Sequence, residues 1–442
     1  MINLKLIENF FIGTLFLCVL FSFFLKSLIV NEILSIFLVL FTSLIFILIV
    51  IPGAVKNNKA KFLIFIFFCL RIFLLYFDHY GKHIGIVLHS GGDSERFYEW
   101  GLYISEDLSR MKEISYTRYT DFLGILYRII GDQRFFSQFI NVILGMWSIF
   151  VFYKILDLFK LKNSKKLFFL AIYGFYPQNI IFSSILLREA FINFFFIYSM
   201  LFFAKWLLLN NRINLFKTIL FVILSSLFHS GIMISLFVYG FIFLFLDVKN
   251  YRFNYSFKRV ALFVLVCGLA LSLIMYNISM LEGKFSLLIP DENLSLIEKY
   301  DSKKVDAGGA AYLNNYTINS ATDLLILVPL RLIYFIFSPM PFDVRGISDL
   351  VAIVLDSSFY YFLIYIIVRS RKVIKDNMVR IFPKIFFILF LTVSIGFALG
   401  TENSGTAMRH RTKIFPALLI VGVFIESMKQ NRLSIWNDKK IN

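Results

Sequence analysis

The chain has 442 residues, 59% of them hydrophobic and 56 of them Phe, against the roughly 45–50% apolar usage of a soluble domain. That composition excludes an ordinary soluble protein and marks an all-α polytopic membrane protein. The formal charge of +17 does not argue for nucleic acid, because in such a protein the excess Lys and Arg belong to cytoplasmic loops.

A helix needs about 20 mostly apolar residues to cross ~30 Å of hydrocarbon. The first such run, 10–30, is longer than a signal-peptide core and lacks a small-residue cleavage site, so it reads as a retained span. Hydropathy then places spans at 33–51, 62–78, 135–157, 167–182, 190–208, 214–228, 231–247, 260–280, 350–368, 384–400 and 413–427, twelve in all. The basic connections 52–61, 158–166, 209–217, 248–259, 369–384 and the tail after Met428 alternate with charge-poor ones. A positive-inside arrangement therefore puts both termini in the cytoplasm of a multi-pass inner-membrane protein. Cys18, Cys69 and Cys267 lie inside apolar runs without metal-ligand spacing and read as packing residues. With no internal repeat or linker evident, residues 1–442 read as one integral membrane domain, with outer loops 79–134 and 281–349 forming its substrate cavity.

Polar groups collect at the outer level in chain order. In the first loop "GGDSERFYEWG" carries Asp93, which reads either as a catalytic base or as the cap of a short helix beginning near Glu95. "YPQNIIFSSILLREA" interrupts a run too long for one crossing. Its Pro177, Gln178 and Asn179 mark the end of one span, and Arg188 and Glu189 the start of the next. About 100° apart on a helix, those two charges are free to contact different groups; the bland reading is an interfacial or structural charge. "FHSG" puts His229 at an outward turn, as a functional group or as a turn residue bonded to backbone. The Gly-rich stretch within 281–322 reads either as a mobile lid or as a solvated connection.

"LLILVPLRLIYFIFSPMP", 324–341, breaks the alternation if counted as a span, so it is expected to enter from the outer face and return, its helix interrupted by Pro329, Pro339 and Pro341. Arg331 at its middle would cost about 2.5–3.5 kcal/mol at a helix centre in lipid, so it is expected to face a watery cavity. Asp343 and Arg345 follow and read as a loop ion pair. "GTENSGTAMRHRTKIFP" brings Glu402, Arg409, His410 and Arg411 to the start of the last span, where basic residues also serve as anchors.

Several arginines facing one cavity favour recognition of a phosphate or pyrophosphate through planar donors. Glycosyl transfer from a polyprenyl-pyrophosphate donor needs a base for the acceptor hydroxyl and cations for the leaving group. Asp93, Glu189 or His229 supplies the base. Arg188, Arg331, Arg409 and Arg411 supply the cations.

"GGDSERFYEWG" followed by "YPQNIIFSSILLREA" resembles the pattern of GT-C membrane glycosyltransferases, whose first outer loop carries an acidic residue. "LLREA", "FHSG" and "MRHRTKIFP" are more similar to bacterial polysaccharide polymerases of the O-antigen and capsule type, including the EpsG-like group. These short motifs span 91–416. The resemblance implies a GT-C-like fold of about twelve helices plus one re-entrant segment, and an enzyme that joins polyprenyl-pyrophosphate-linked oligosaccharide units outside the cell. It matches Asp93 to the acidic base position, Arg188 and Glu189 to the polar helix start, and Arg409 and Arg411 to the late arginines. Phe342 stands where the pattern has Trp, and with no D-x-D a metal-independent reaction without cofactor is expected. Membrane lipid and other polysaccharide-assembly proteins are the expected partners, and nucleic acid is not. Two other readings stay open: a single-sugar GT-C transferase using a polyprenyl-phosphate donor, and a transporter or flippase of lipid-linked glycans. A transporter would line a path to both faces, and Arg71 and Asp78 are the main charges that answer to it.

Overall fold

A computed structural model describes residues 31–81, 92–112, 117–276, 311–313, 321–370, 381–401 and 403–429. The expected first span, the segment 281–310, His83, His89, Tyr316 and Glu402 lie outside the described residues. Among the described residues the architecture is all-α apart from one two-stranded hairpin and an isolated bridge between Ala311 and Asn403. Among the described residues six helices are long and apolar enough to cross a membrane: 33–54, 58–81, 134–158, 189–209, 349–369 and 381–399. Each matches an expected span to within a few residues.

The chain divides into two compact units. The first comprises residues up to Lys154 together with Lys166–Phe194. In it α1 (Asn31–Ile45) runs through a π-helical turn (Phe46–Val50) and on to Ala54. α2 (Asn58–Gly81) starts where the Asn57 side chain accepts the amides of Lys59 and Ala60 at 2.9 and 3.2 Å, which satisfies donors the first turn leaves open. α3 (Asp93–Glu106) and α4 (Arg118–Ile130) cross closely on bare backbone. A Cβ at Gly124 would fall 2.2 Å from Ile104, and one at Gly101 2.8 Å from Leu123. Arg128 closes the C-terminal end of α3 by donating to the carbonyls of Ser105 and Glu106 at 3.2 and 3.1 Å, the terminus that favours a cation. α4 ends at Gly131, whose φ of +85° suits glycine.

After α5 (Arg134–Leu158) the expected span 167–182 is not one helix. It is α6 (Asn163–Phe175), a break at Tyr176 and the short α7 (Pro177–Ser184). Proline belongs in a first turn, where its missing N–H has no partner to lose, so Pro177 starts a helix rather than ending a crossing. α8 (Glu189–Leu209) follows, its first residues in this unit.

The second unit comprises Ile155–Lys165 and the chain from Phe195 onward. α9 (Arg212–Phe228), a 3₁₀ turn (Ser230–Met233) and α10 (Ile234–Phe245) lead into β1 (Leu246–Asp247), paired antiparallel with β2 (Arg252–Phe253). α11 (Phe257–Tyr276) precedes α12 (Ala321–Phe337). The expected interruption at Pro329 is absent: α12 is continuous through it, and the chain leaves the helix only at Ser338. α13 (Ile347–Ala352) passes through a π turn (Ile353–Ser357) into α14 (Ser358–Ser370), and α15 (Ile381–Leu399) is followed by α16 (Ser404–Lys429).

α16 starts nine residues before the expected span at 413, because Asn403 accepts the amide of Thr406 at 2.7 Å as an N-cap. It is buried over nearly its whole length, and Ser427 near its end donates to the Phe159 carbonyl at 2.6 Å. Arg345 bonds Asp349 at 3.0 Å instead of pairing with Asp343.

Candidate functional site

In the first unit the site is built around the break between α7 and α8. Asn141, fully buried on α5, donates its Nδ2 to the carbonyls of Ile185 and Leu187, both at 2.8 Å. Those carbonyls have left helical geometry, and one amide side chain serves both. The clamp fixes where α8 begins, and so where Arg188 and Glu189 stand. Glu189 is fully buried in the first turn of α8, where a carboxylate meets the positive end of the helix dipole. Nδ2 of Asn141 also lies 3.1 Å from the hydroxyl of buried Tyr119, whose ring packs edge-on against Phe191 at 5.5 Å. Burial pushes the Tyr119 phenol well up, Asn141 pulls it back, and the charge of Glu189 raises it.

α3 joins this cluster through Phe97, whose ring meets Tyr119 at 5.2 Å and carries the Arg188 guanidinium 5.8 Å from its centroid. Asp93 lies one turn before Phe97 and therefore on the same face of α3. It is half-buried in the first helical turn, and the N-cap is Gly92, so Asp93 is not the cap the sequence allowed. Beside it Glu95 and Arg134 form a bidentate pair at 2.6 and 2.8 Å, and the Arg134 guanidinium sits 4.7 Å from the ring of Tyr98. Burial first, then the hydrogen bond to Asp132, holds the Tyr98 phenol well above its ordinary value.

In the second unit a different set gathers around Phe397, on the last turns of α15. The His410 ring stacks on Phe397 at 4.8 Å and the His229 ring packs edge-on at 5.1 Å. The two imidazoles meet at 5.0 Å, nearly perpendicular. Lys413, fully buried, places Nζ 2.7 Å from Nδ1 of His410 and 5.3 Å from the Phe397 ring. Gly231 donates its amide to Nδ1 of His229 at 3.1 Å, so the turn role expected of His229 is real and coexists with its contact to His410. Arg331, only 3% exposed, donates to the carbonyl of Leu399 at 2.9 Å, two residues beyond Phe397.

Arg409 and Arg411, expected to hold one leaving group together, lie on opposite sides of α16. Residues two apart on a helix project about 200° apart. Arg411 is fully buried, ion-paired with Asp356 at 2.5 Å and bonded to the carbonyls of Ile336 and Ser338 at 2.7 and 2.5 Å. These contacts already engage its guanidinium within the fold, so Arg411 has a structural role. Arg409 is half-buried and shares its face with Lys413, four residues on.

The seven sequence-selected residues therefore divide between the units: Asp93, Arg188 and Glu189 in the first, His229, Arg331, Arg409 and Arg411 in the second. Lys413, Asn141, Tyr119 and Asp356 were not singled out by sequence. The signal for Lys413 was available: it stands three residues after His410, which on a helix is one face. Among the described residues no three His, Cys, Asp or Glu side chains gather as a metal-ligand group. No protein-family model matches the chain, and no curated protein or solved structure matches it.

Proposed function

We propose that the protein is a membrane glycosyltransferase that polymerises polyprenyl-pyrophosphate-linked oligosaccharide units into a surface polysaccharide. In this reading it is a GT-C-like chain of twelve spans in the bacterial inner membrane, with its reaction on the outer face. The observation that supports it is the buried cluster of basic side chains in the second unit. His229, His410, Lys413 and Arg331 are all under 10% exposed, gathered within two residues of Phe397 along α15. A cluster of nitrogen donors on one side of a helix suits an anion with several oxygens, and a diphosphate carried on a lipid reaches such a site from within the membrane.

The reaction follows from those donors and a base. The acceptor hydroxyl gives its proton to a base, for which His229 stands in the same unit as those donors, and its oxygen attacks the anomeric carbon of the donor sugar. The bond from that carbon to the pyrophosphate oxygen breaks, and the electron pair leaves with the diphosphate, which stays on the polyprenyl chain. Donors held in place before the reaction stabilise the departing charge without reorganising.

Arg188→Ala, Arg331→Ala and Arg409→Ala are each expected to abolish long-chain polysaccharide while single repeat units remain on the lipid, read as ladders on a gel. Unchanged ladders in all three remove the polymerase reading. One observation favours transport instead: Arg71 and Asp78 are buried along α2, the first bonded to Ser183 at 3.0 Å, the second to Gln138 at 2.6 Å. Lipid-linked units trapped on the cytoplasmic face of a deletion strain would decide for the transporter. Units accumulating outside decide for the enzyme.

A further inference from the structure

From Ala190 to Leu281 the chain carries one acid, Asp247, and seven Lys or Arg. Four of the seven, Lys249, Arg252, Lys258 and Arg259, fall within eleven residues in and just after the β1–β2 hairpin. The hairpin is a firm frame for them. Asp247 accepts the amide of Lys249 at 3.0 Å on one carboxylate oxygen and Nδ2 of Asn250 at 2.8 Å on the other. Tyr251, buried, packs its ring against Phe382 at 5.2 Å. The amide of Asn254 donates to the Phe245 carbonyl at 2.8 Å, one step past β2. The one acid thus serves the turn, and the four bases outnumber it.

Aromatic and apolar surface begins where the hairpin ends. Tyr255 is 63% and Phe257 87% exposed, a display of large rings that is rare in water and ordinary at the headgroup level of a bilayer. Phe263 holds α11 against α10 through Phe241 and Phe245, at 5.6 and 5.7 Å. Away from that side, Phe257, Val260, Leu262, Val264 and Leu265 are between 42% and 87% exposed. At 100° per residue they point around most of the helix, and a helix apolar over so much of its exposed surface is one that lipid covers. Its first turn nevertheless carries Lys258 and Arg259 and no acid, at the end where the helix dipole disfavours cations. An anion at that level relieves both.

We propose that the hairpin and the first turn of α11 form a docking surface for anionic phospholipid headgroups. Tyr255 and Phe257 sit at the headgroup level, and Lys249, Arg252, Lys258 and Arg259 meet the negative charge. The surface lies wholly in the second unit and does not depend on the glycosyl-transfer reading. Lipid is favoured over a soluble acidic partner because the apolar surface of α11 starts at Phe257, so the bilayer that covers it ends beside the four bases. Long basic side chains at such an edge lay their stems along apolar surface and reach the headgroups with their charged ends.

The test uses the full-length protein in phosphatidylcholine vesicles with a trace of photoactivatable phosphatidylglycerol or photoactivatable phosphatidylcholine, and locates adducts by mass spectrometry. A base near an anionic surface is worth about fivefold in preference, the equivalent of ~1 kcal/mol. Phosphatidylglycerol should therefore give at least about fivefold more adduct within 246–259 than phosphatidylcholine at low salt. Salt at about 1 M, where the screening length is about 3 Å, should remove most of that difference. Lys249→Gln, Arg252→Gln, Lys258→Gln and Arg259→Gln combined should bring the two yields together, with the unfolding midpoint near that of the parent. Phe257→Ser should lower both yields. Equal yields in the unsubstituted protein overturn the anionic preference, and a preference that survives the fourfold substitution removes these bases from the surface. Adducts from neither lipid in this segment would place the hairpin in water, open to a soluble partner, and overturn the proposal. Should the fourfold variant fail to fold, the salt dependence of the unsubstituted protein decides: a preference untouched by salt overturns the charge-based surface.

Discussion

Arg411 and Lys413 are two residues apart on α16, both fully buried, and they solve the problem of a buried cation in different ways. Arg411 meets a carboxylate and two carbonyls in a planar arrangement that its guanidinium fits. Its own carbonyl accepts the hydroxyl of Tyr360 at 2.9 Å, so the contact also fastens α14 to α16. Lys413 meets an imidazole, on the side of the helix where a second imidazole and Arg331 come together around the end of α15. A cation balanced by protein acid is a joint. A cation set against a histidine, beside a second histidine and Arg331, belongs to the cluster from which the anion site is proposed. Sequence reading selects Arg411 and passes over Lys413; the helix that carries them separates them by about 200°.

The largest effect expected from that comparison is on the joint. Arg411→Met leaves Asp356 buried without its cation, and breaking one side of a buried pair costs about 3–5 kcal/mol. Thermal unfolding of the purified protein in detergent should show it as a large fall in midpoint. The double substitution Arg411→Met with Asp356→Leu should recover most of the loss, because it removes the stranded charge as well. A single variant as stable as the parent would mean that Arg411 is not held by Asp356.

How much of this was legible in the sequence follows from the kind of physics involved. The six long apolar helices were readable because membrane crossing is set by length and hydropathy, and expected and observed bounds agree within a few residues. The "LLREA" break was readable too, as polar residues inside an overlong apolar run. Its cause was not, since Asn141 lies more than forty residues upstream and looks like any other polar residue within "FINVILG". Pro329 misled, because a proline inside an apolar stretch reads as an interruption while the helix in fact continues through it. At "ENSGTAMRHRTK" the charges read as an approach to the membrane and hid a helix already capped by Asn403. That one boundary decided the site: as a loop the stretch offers two equivalent arginines, as a helix it divides them.

A middle-sized effect is expected at Gly231, which belongs to the other side of the comparison. A methyl group there would sit 3.0 Å from both the His229 ring and the Phe397 ring, tighter than ordinary packing. Two aromatic rings already in mutual contact must move by a few tenths of an ångström, and overpacking of this kind costs about 1–2 kcal/mol. Gly231→Ala should therefore lower the unfolding midpoint less than Arg411→Met does. It should also weaken the hydrogen bond from the Gly231 amide to Nδ1 of His229, which ¹⁵N spectra of that ring read directly. An unchanged midpoint and an unchanged spectrum would show that the ring is not pressed against the backbone.

The smallest stability effect is expected at Lys413, and its sign carries the argument. Lys413→Met deletes a charged hydrogen bond, of the kind worth about 1.5–3 kcal/mol, and leaves Nδ1 of His410 without that donor. It also deletes a fully buried ammonium, whose desolvation offsets most of that bond, and it fills the space with an apolar chain of similar length. The two nearly cancel, so stability should change by less than about 1 kcal/mol in either direction, a fraction of the loss at Arg411. Inorganic pyrophosphate binding, measured by calorimetry on the same preparation, should nonetheless fall by about tenfold or more. A large loss of stability at Lys413 would instead place it in the same class as Arg411, as a joint of the fold. The anion site would then lose its centre.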